Sequence, residues 1–232
     1  MNSILAIKSK STDKQVRRTF KISSKPLIFV LASPSAAGKT TLCYAAVKRD
    51  KNIWYSVSAT TRAKRPNEKN GREYFFLTKE EFSEKLKNGE FLEHTKIYNA
   101  HYATPKQPIL AKLKSGKDII LDLDLNGVKA LKKFYPATVG IYVIPPSMAV
   151  LWKRLQNRQK SDTDKINLRY GKAIQEIKNV VDMLLKCRRK SIVDYIIVNN
   201  KLDKAIDDLM AIIYAERMSV HHLLLSEIIH CL

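Results

Sequence analysis

Between Leu27 and Lys48 the sequence commits to one local geometry. Leu27-Ile28-Phe29-Val30-Leu31-Ala32 is an unbroken apolar run of strand length, the pattern of a strand covered on both faces of a parallel sheet. The small residues Ser33–Lys39 turn the chain, and Thr40–Lys48 reads as a helix. A buried strand feeding a helix through a tight loop calls for helices on both faces of a sheet. The rest of the chain keeps that rhythm. Asp118–Leu123, Val139–Ile144 and Tyr195–Val198 read as further buried strands. Helices are expected from after Pro105 to about Ser115, with Gly116 as the stop, and over Asn126–Phe134 and Met148–Leu155. Ile174, Ile177, Val181 and Leu184 mark one face of a long helix, and Ile206, Leu209, Met210 and Ile213 mark a closing one. The fold class is therefore α/β, a parallel sheet flanked by helices.

One stretch breaks the rhythm. Trp54–Ser58 alternates weakly as a strand, and Ala59–Arg72 is a loop rich in Thr, Arg, Lys, Pro and Asn. Tyr74–Leu77 is strand-like, and Thr78 with Glu81 forms the capping box of a short helix. Residues 90–104 read as short strands and a turn, so 58–104 looks like an insert in the core. Arg158–Lys165 carries no apolar side chain and reads as a mobile loop.

Composition narrows the partners. Forty-two Lys+Arg against twenty-two Asp+Glu give a net charge of +20 over 232 residues, which favours anionic ligands without choosing among them. No apolar run approaches the roughly 20 residues of a membrane span. Cys43, Cys187 and Cys231 are too few and too scattered for a disulfide framework or a four-ligand zinc site, and a reducing compartment is the default. Residues 1–25 hold Lys8, Lys10, Lys14, Arg17, Arg18, Lys21 and Lys25 against Asp13 alone. They read as a solvated basic extension, with an organelle transit peptide as the alternative. Residues from about 219 form a separate C-terminal tail.

Ser33-Pro34-Ser35-Ala36-Ala37-Gly38-Lys39-Thr40 matches the end of the phosphate-loop pattern but lacks its first glycine. Its position after a buried strand, at the opening of a helix, points backbone N–H groups and the positive helix end at one spot. Gly38 permits close backbone approach, Lys39 can reach the β- and γ-phosphates, and the Thr40 hydroxyl suits Mg²⁺. A lysine at a helix start is poorly placed against the helix dipole, which an ordinary strand–turn–helix would leave unexplained. Ala36 and Ala37 call for helical or extended backbone where glycine is usual. A second anion site is suggested by Arg62 and Arg65, behind the hydroxyls of Ser58, Thr60 and Thr61, with the Tyr74 phenol twelve residues after Arg62.

Together these segments resemble guanylate kinase. Ser33–Thr41, Ser56–Pro66 and Gly71–Phe76 carry the resemblance, with Glu90–His94, Tyr102–Thr104, Leu121–Gly127, Pro145–Ser147 and Ile197–Asn200. They stand in the family's order over about 27–217. The resemblance implies a phosphate-loop core over 26–57, 105–153 and 171–218, a GMP-binding insert over 58–104 and a lid over 154–170. It implies ATP held by Ser33 through Thr41 and by Asn199 near the adenine. It also implies GMP phosphate on Arg62, Arg65, Tyr74 and Tyr102, and guanine beside Ser58, Glu93, Thr104 and one or both of Asp122 and Asp124. A carboxylate suits guanine because it accepts from N1–H and N2–H together, an edge adenine lacks. Where the family has glycines, this chain has Ser33, Ala36, Ala37, Asn99, Ala103 and Gln159.

Arg154 and Arg158 are i, i+4 on one helix face and can converge on one target; with Arg169 the resemblance makes them lid arginines over the transferring phosphoryl group. The reaction implied is MgATP + GMP ⇌ ADP + GDP, in a cytoplasmic enzyme, or an organellar one if residues 1–25 direct import. Two other classes compete: a non-catalytic guanylate-kinase-like protein-binding domain and a nucleic-acid-binding protein. Retention of Lys39, Thr40, Arg62, Arg65, Arg154 and Arg158 weighs against the first. No nucleic-acid-binding signature stands behind the second. No membrane or specific nucleic-acid partner is expected, and monomer and homodimer both stay open.

Overall fold

A computed structural model describes residues 24–97, 99–158, 163–186 and 191–223. The apolar runs become a five-stranded parallel sheet in the order β2-β7-β1-β8-β9. Its strands are β1 (Ile28–Ala32), β2 (Ile53–Tyr55), β7 (Asp118–Leu123), β8 (Thr138–Ile144) and β9 (Tyr195–Val198). All five residues of β1 are buried, which explains a run with no polar alternation. One face of the sheet packs on α1 (Lys39–Arg49) and α7 (Leu202–Met218) through Leu31, Leu42, Ile141, Leu209 and Ile213. The other packs on α3 (Lys106–Lys114), α4 (Leu125–Phe134) and the second half of α6 (Thr163–Lys186), through Val30, Ile109, Val128, Tyr142 and Val180.

A second sheet, in the order β4-β3-β6-β5, holds β3 (Ala59–Thr60), β4 (Phe75–Phe76), β5 (Phe91–Ile97) and β6 (Ala100–Pro105), with α2 (Lys79–Lys87). The capping box of α2 is complete: Thr78 Oγ1 accepts from Glu81 N (3.1 Å), and the Glu81 carboxylate accepts from Thr78 N (2.7 Å). β5 and β6 form a longer antiparallel pair than a reading of short strands and a turn implies. The run expected as one strand over Trp54–Ser58 is divided. β2 stops at Tyr55, Ser56 N still reaches Ile120 O, and Ala59 already belongs to the second sheet.

Two helix readings change. α5 (Met148–Arg158) runs one turn past Leu155, and α6 begins at Thr163, with Asp164 in its first turn. An acid there complements the positive helix end, so the expected loop Arg158–Lys165 is helical at both ends. The buried face of α6 is also rotated. Ile166, Ala173 and Val180 are buried while Val181 is 47% exposed. Ala173 is small enough to seat against Leu151 and Leu155 of α5, and that close approach sets the rotation. At the chain ends, the fold includes residues before Pro26. Ser24 bridges Leu223, and Lys25 N donates to His222 O (2.9 Å). Residues 1–23 and 224–232, which hold most of the basic extension and the C-terminal tail, lie outside the described residues. No helix among the described residues is long and apolar enough to cross a membrane.

Candidate active site

The loop 33–38 leaves the C-terminal end of β1, where parallel α/β sheets place their ligands. Ser33 Oγ donates to Pro34 O (2.8 Å), and Ala37 N donates to Pro34 O (3.3 Å), folding the loop over itself. Ala36 takes a positive φ of 66° and is the only non-glycine residue to do so among those described. The expectation of helical or extended backbone there is corrected: the loop keeps a glycine-like shape with alanine in it, at a cost of about 1–2 kcal/mol. Ala36 packs against the cluster that Leu151, Leu155, Ile166 and Ala173 form between α5 and α6. Pro34 and Ala37 are buried, and Ser35, Thr40 and Thr41 are exposed.

Gly38 is the N-cap of α1, with φ +100°. A Cβ on it would lie 2.3 Å from Asn199 Nδ2, and Asn199 is a buried side chain held by its own hydrogen bond. Gly38→Ala is therefore expected to destabilise the fold by about 2 kcal/mol, through overpacking and left-handed backbone together. Urea unfolding checks this; an unchanged midpoint would mean the loop can yield.

Around the loop the sheet supplies partners. Leu31 and Ala32 stand beside Asp122 and Leu123 in the β1–β7 register. Lys39 Nζ donates to Leu123 O (2.7 Å), and the Thr40 hydroxyl donates to Asp122 Oδ2 (2.5 Å). The Tyr55 hydroxyl donates to Asp122 Oδ1 (2.8 Å), so both oxygens of that carboxylate are engaged. The sequence reading grouped Asp122 with Asp124, and the structure separates them. β7 ends at Leu123, so strand alternation no longer relates the two side chains. Asp124 instead caps α4, accepting from Gly127 N (2.8 Å).

On the second sheet, Arg62 reaches Glu68 through two bonds of 2.9 and 2.8 Å and lies 5.3 Å from the centre of the Tyr74 ring. Tyr74 and Tyr102 meet edge to face at 5.8 Å. Arg62, Tyr74 and Tyr102 are thus brought together. The Arg65 side chain is exposed, and its backbone N donates to Glu68 (2.9 Å). Thr104, fully buried, donates its hydroxyl to Glu93 Oε1 (2.5 Å) across the β5–β6 pair. Burial pushes the Glu93 carboxyl up to about 7; the Thr104 bond opposes that rise and the charge of Asp124 adds to it. Ser58 is buried at the entry to this sheet.

On α5, Arg154 Nη2 donates to Asn199 O (3.0 Å), and its buried Nη1 has no acceptor among the described residues. Such a donor is costly to leave empty, and it fits a site built for an anion. Arg169 is half-buried on α6 and makes no hydrogen bond or ion pair among the described residues. Arg158 closes α5, and its side chain lies outside the described residues. Sequence reasoning missed Tyr55 and Glu68. Glu68 had a local signal, three residues after Arg65; Tyr55 had none, since its partner is 67 residues away.

A parallel sheet with a phosphate loop at its C-terminal edge, a lysine and a hydroxyl at the helix start and an arginine site on a second sheet defines a phosphate-loop phosphotransferase. The comparisons with known proteins narrow the class. The family model for guanylate kinase matches residues 23–216. A guanylate kinase of Carboxydothermus hydrogenoformans is 38% identical over 194 residues, 84% of this chain and 90% of that one. One of Rickettsia bellii is 39% identical over 194 residues, covering 84% and 96%. The crystal structure of guanylate kinase from Anaplasma phagocytophilum superposes with a TM-score of 0.71 at 28% identity, covering 88% of this chain and 93% of that one. The chain belongs to the guanylate kinase family.

Proposed function

We propose that the chain works as a guanylate kinase, moving the γ-phosphoryl group of ATP to GMP, with the following division of labour. Family membership supports an enzyme over a binding domain. The observation that supports the residue roles is the separation of two polar sites: Lys39, Thr40 and Asp122 at the core sheet, and Arg62, Tyr74, Tyr102 and Glu93 on the second. One suits a triphosphate, the other a nucleoside monophosphate.

The ATP phosphates lie on the backbone of Ser33 through Thr41, with Lys39 reaching the β- and γ-phosphates. Arg62, Arg65, Tyr74 and Tyr102 hold the GMP phosphate, and Ser58, Glu93, Thr104 and Asp124 hold guanine. Thr40 and Asp122 are the residues that would hold Mg²⁺: two hard oxygen donors fit an ion that takes few protein ligands beside phosphate oxygens and water. When bound, Mg²⁺ neutralises charge on the phosphates. A GMP phosphate oxygen is ionised near neutrality and needs no general base. The protein's part is to align that oxygen with the γ-phosphorus and to neutralise charge with Lys39 and the arginines Arg154, Arg158 and Arg169. The α5–α6 arm over the site excludes water, which would otherwise take the phosphoryl group.

The test is ADP formation from MgATP with GMP, AMP, CMP, UMP or no acceptor. Turnover with GMP alone is the expected result, and turnover with none of them by folded protein would refute the reading. The pH dependence adds a sharper check. Guanine needs the ionised Glu93 carboxylate, whose pKa stands near 7. KM for GMP should be flat above about pH 7 and rise towards tenfold per unit below it. For stability of the free protein the sign is reversed: the Glu93 contribution is full below the ordinary carboxylate range and lost as pH rises to about 7. Glu93→Gln should raise KM for GMP and leave only the shallow dependence of the phosphate's own ionisation. A wild-type KM that tracks the Gln variant from pH 8 to 5.5 would remove Glu93 from the guanine site.

A further inference from the structure

Asn199 enters the sequence reading as a neighbour of adenine. Its geometry points elsewhere. The residue follows β9 directly and is 5% exposed. Its backbone N donates to Ile144 O (2.8 Å), fixing it to the end of β8. Its side-chain Nδ2 donates to Ala37 O (2.8 Å) in a buried bond between residues 162 apart. A Cβ on Gly38 would come within 2.3 Å of the same nitrogen. Its carbonyl oxygen accepts from Arg154 Nη2 (3.0 Å).

We propose that Asn199 is a positioning residue: it clamps the phosphate loop from behind and, through its carbonyl, holds Arg154 to the same strand end. The inference deepens the triphosphate-site assignment and rests on it. The argument is one of peptide geometry. The carbonyl of Ala37 and the N–H of Gly38 belong to one peptide unit, and in a trans peptide they point in opposite directions. Pinning the carbonyl to Asn199 therefore aims the Gly38 N–H away from Asn199. Gly38 caps α1, so that N–H lies outside the helical hydrogen-bond ladder and is available to an anion. Without the clamp, a buried carbonyl loses its donor, and glycine gives this peptide the freedom to rotate. The donor that adenine recognition would use is spent on the loop, in a side chain with almost no surface.

The test compares ATP with inorganic tripolyphosphate, which has the phosphates and no base. Binding of each, with Mg²⁺, is measured by calorimetry for wild type, Asn199→Ala and Asn199→Asp, with GMP binding measured beside them. Asp keeps the size and both backbone contacts but offers the Ala37 carbonyl no ordinary donor, so it decides the matter if the Ala variant fails to fold. The expected result is a loss of about tenfold in affinity for ATP and tripolyphosphate alike, with GMP affinity within twofold of wild type. A loss for ATP alone would make Asn199 a base ligand and overturn the clamp. Equal losses for all three ligands would reduce it to general structural support, and no loss for any would leave it no role. Failure of the wild type to bind either phosphate ligand would overturn the loop assignment itself, and the clamp with it.

Discussion

Lys39→Met is expected to lower kcat for GMP phosphorylation by about 10²–10³-fold, the cost of removing one well-placed charge donor from a transferring group. GMP affinity should stay within twofold, because the GMP site proposed above lies on the second sheet. The case rests on position. Lys39 is the first residue of α1, and the first turn of that helix carries no acid. A positive charge at the positive end of a helix stabilises nothing locally. Its ammonium donates to a backbone carbonyl, Leu123 O, at 2.7 Å, and makes no direct ion pair among the described residues. It remains a whole charge beside the loop, which a γ-phosphate can use. Lys39→Arg keeps the charge but replaces a compact ammonium with a planar fork, and it should recover only part of the loss. Steady-state kinetics at saturating ATP and GMP checks the pair. A methionine variant retaining more than a tenth of wild-type kcat would remove Lys39 from the chemistry.

Arg217→Met should destabilise the fold by about 3–5 kcal/mol, the range for breaking a buried ion pair from one side, without changing kcat per folded molecule. Arg217 sits in the last turn of α7, at the opposite end of the sheet from the phosphate loop. Its Nε donates to Asp118 Oδ2 (2.7 Å) and its Nη1 to Asp50 Oδ2 (2.6 Å). Asp118 is 3% exposed on its side chain, and its other oxygen accepts from Leu27 N (2.7 Å). Methionine would cover the same apolar surface but leave that carboxylate buried without its cation. At about 2–4 °C per kcal/mol for a chain of this size, Tm should fall by about 10 °C. Burial alone would raise the Asp50 pKa; the Asn52 N–H and the Arg217 guanidinium overcome it and hold the carboxyl below its usual range. A lowered acid contributes stability at neutral pH and loses it as pH falls through its folded-state pKa. The gap between variant and wild type should therefore shrink in acid. Adding Asp118→Asn should recover part of the loss, since the buried charge then goes too. A Tm shift of under 3 °C at pH 7 would show that the network is dispensable.

The strands legible in the sequence were those with unbroken apolar runs. β7 and β9 match the runs Asp118–Leu123 and Tyr195–Val198 residue for residue, but only β7 is buried as such a run implies. β9 is the edge strand, with Ile196 and Val198 each 47% exposed, so the expectation of a buried strand there is corrected. Short elements shared between two sheets were not legible. Three residues of β2 and two of β3 carry too little pattern to show which sheet owns them. The rotation of α6 escaped because Ala173, a small residue, is the one that meets α5; hydrophobic spacing favours the larger Ile174 and Val181. At the site, the loop 33–40 could be read because its parts are consecutive. The engagement of Asp122 by Tyr55 and Thr40 could not, since it joins segments 67 and 82 residues apart. The left-handed Ala36 contradicts residue preference outright, and only the fold around it imposes that conformation.

Helix α6 has a mechanical consequence. It is one rod of 24 residues, about 36 Å long. Ile166 and Ala173, nearer its start, pack with α5 and with Ala36 of the phosphate loop. Val180, Met183 and Leu184, nearer its end, pack against the sheet. The rod is therefore a lever with its fulcrum near Val180. A tilt of about 10° there carries Thr163, about 26 Å away along the axis, through about 4–5 Å. α5 packs on it near that end, and Ala36 packs on the same cluster. Any such tilt would therefore load the left-handed backbone of Ala36 as well.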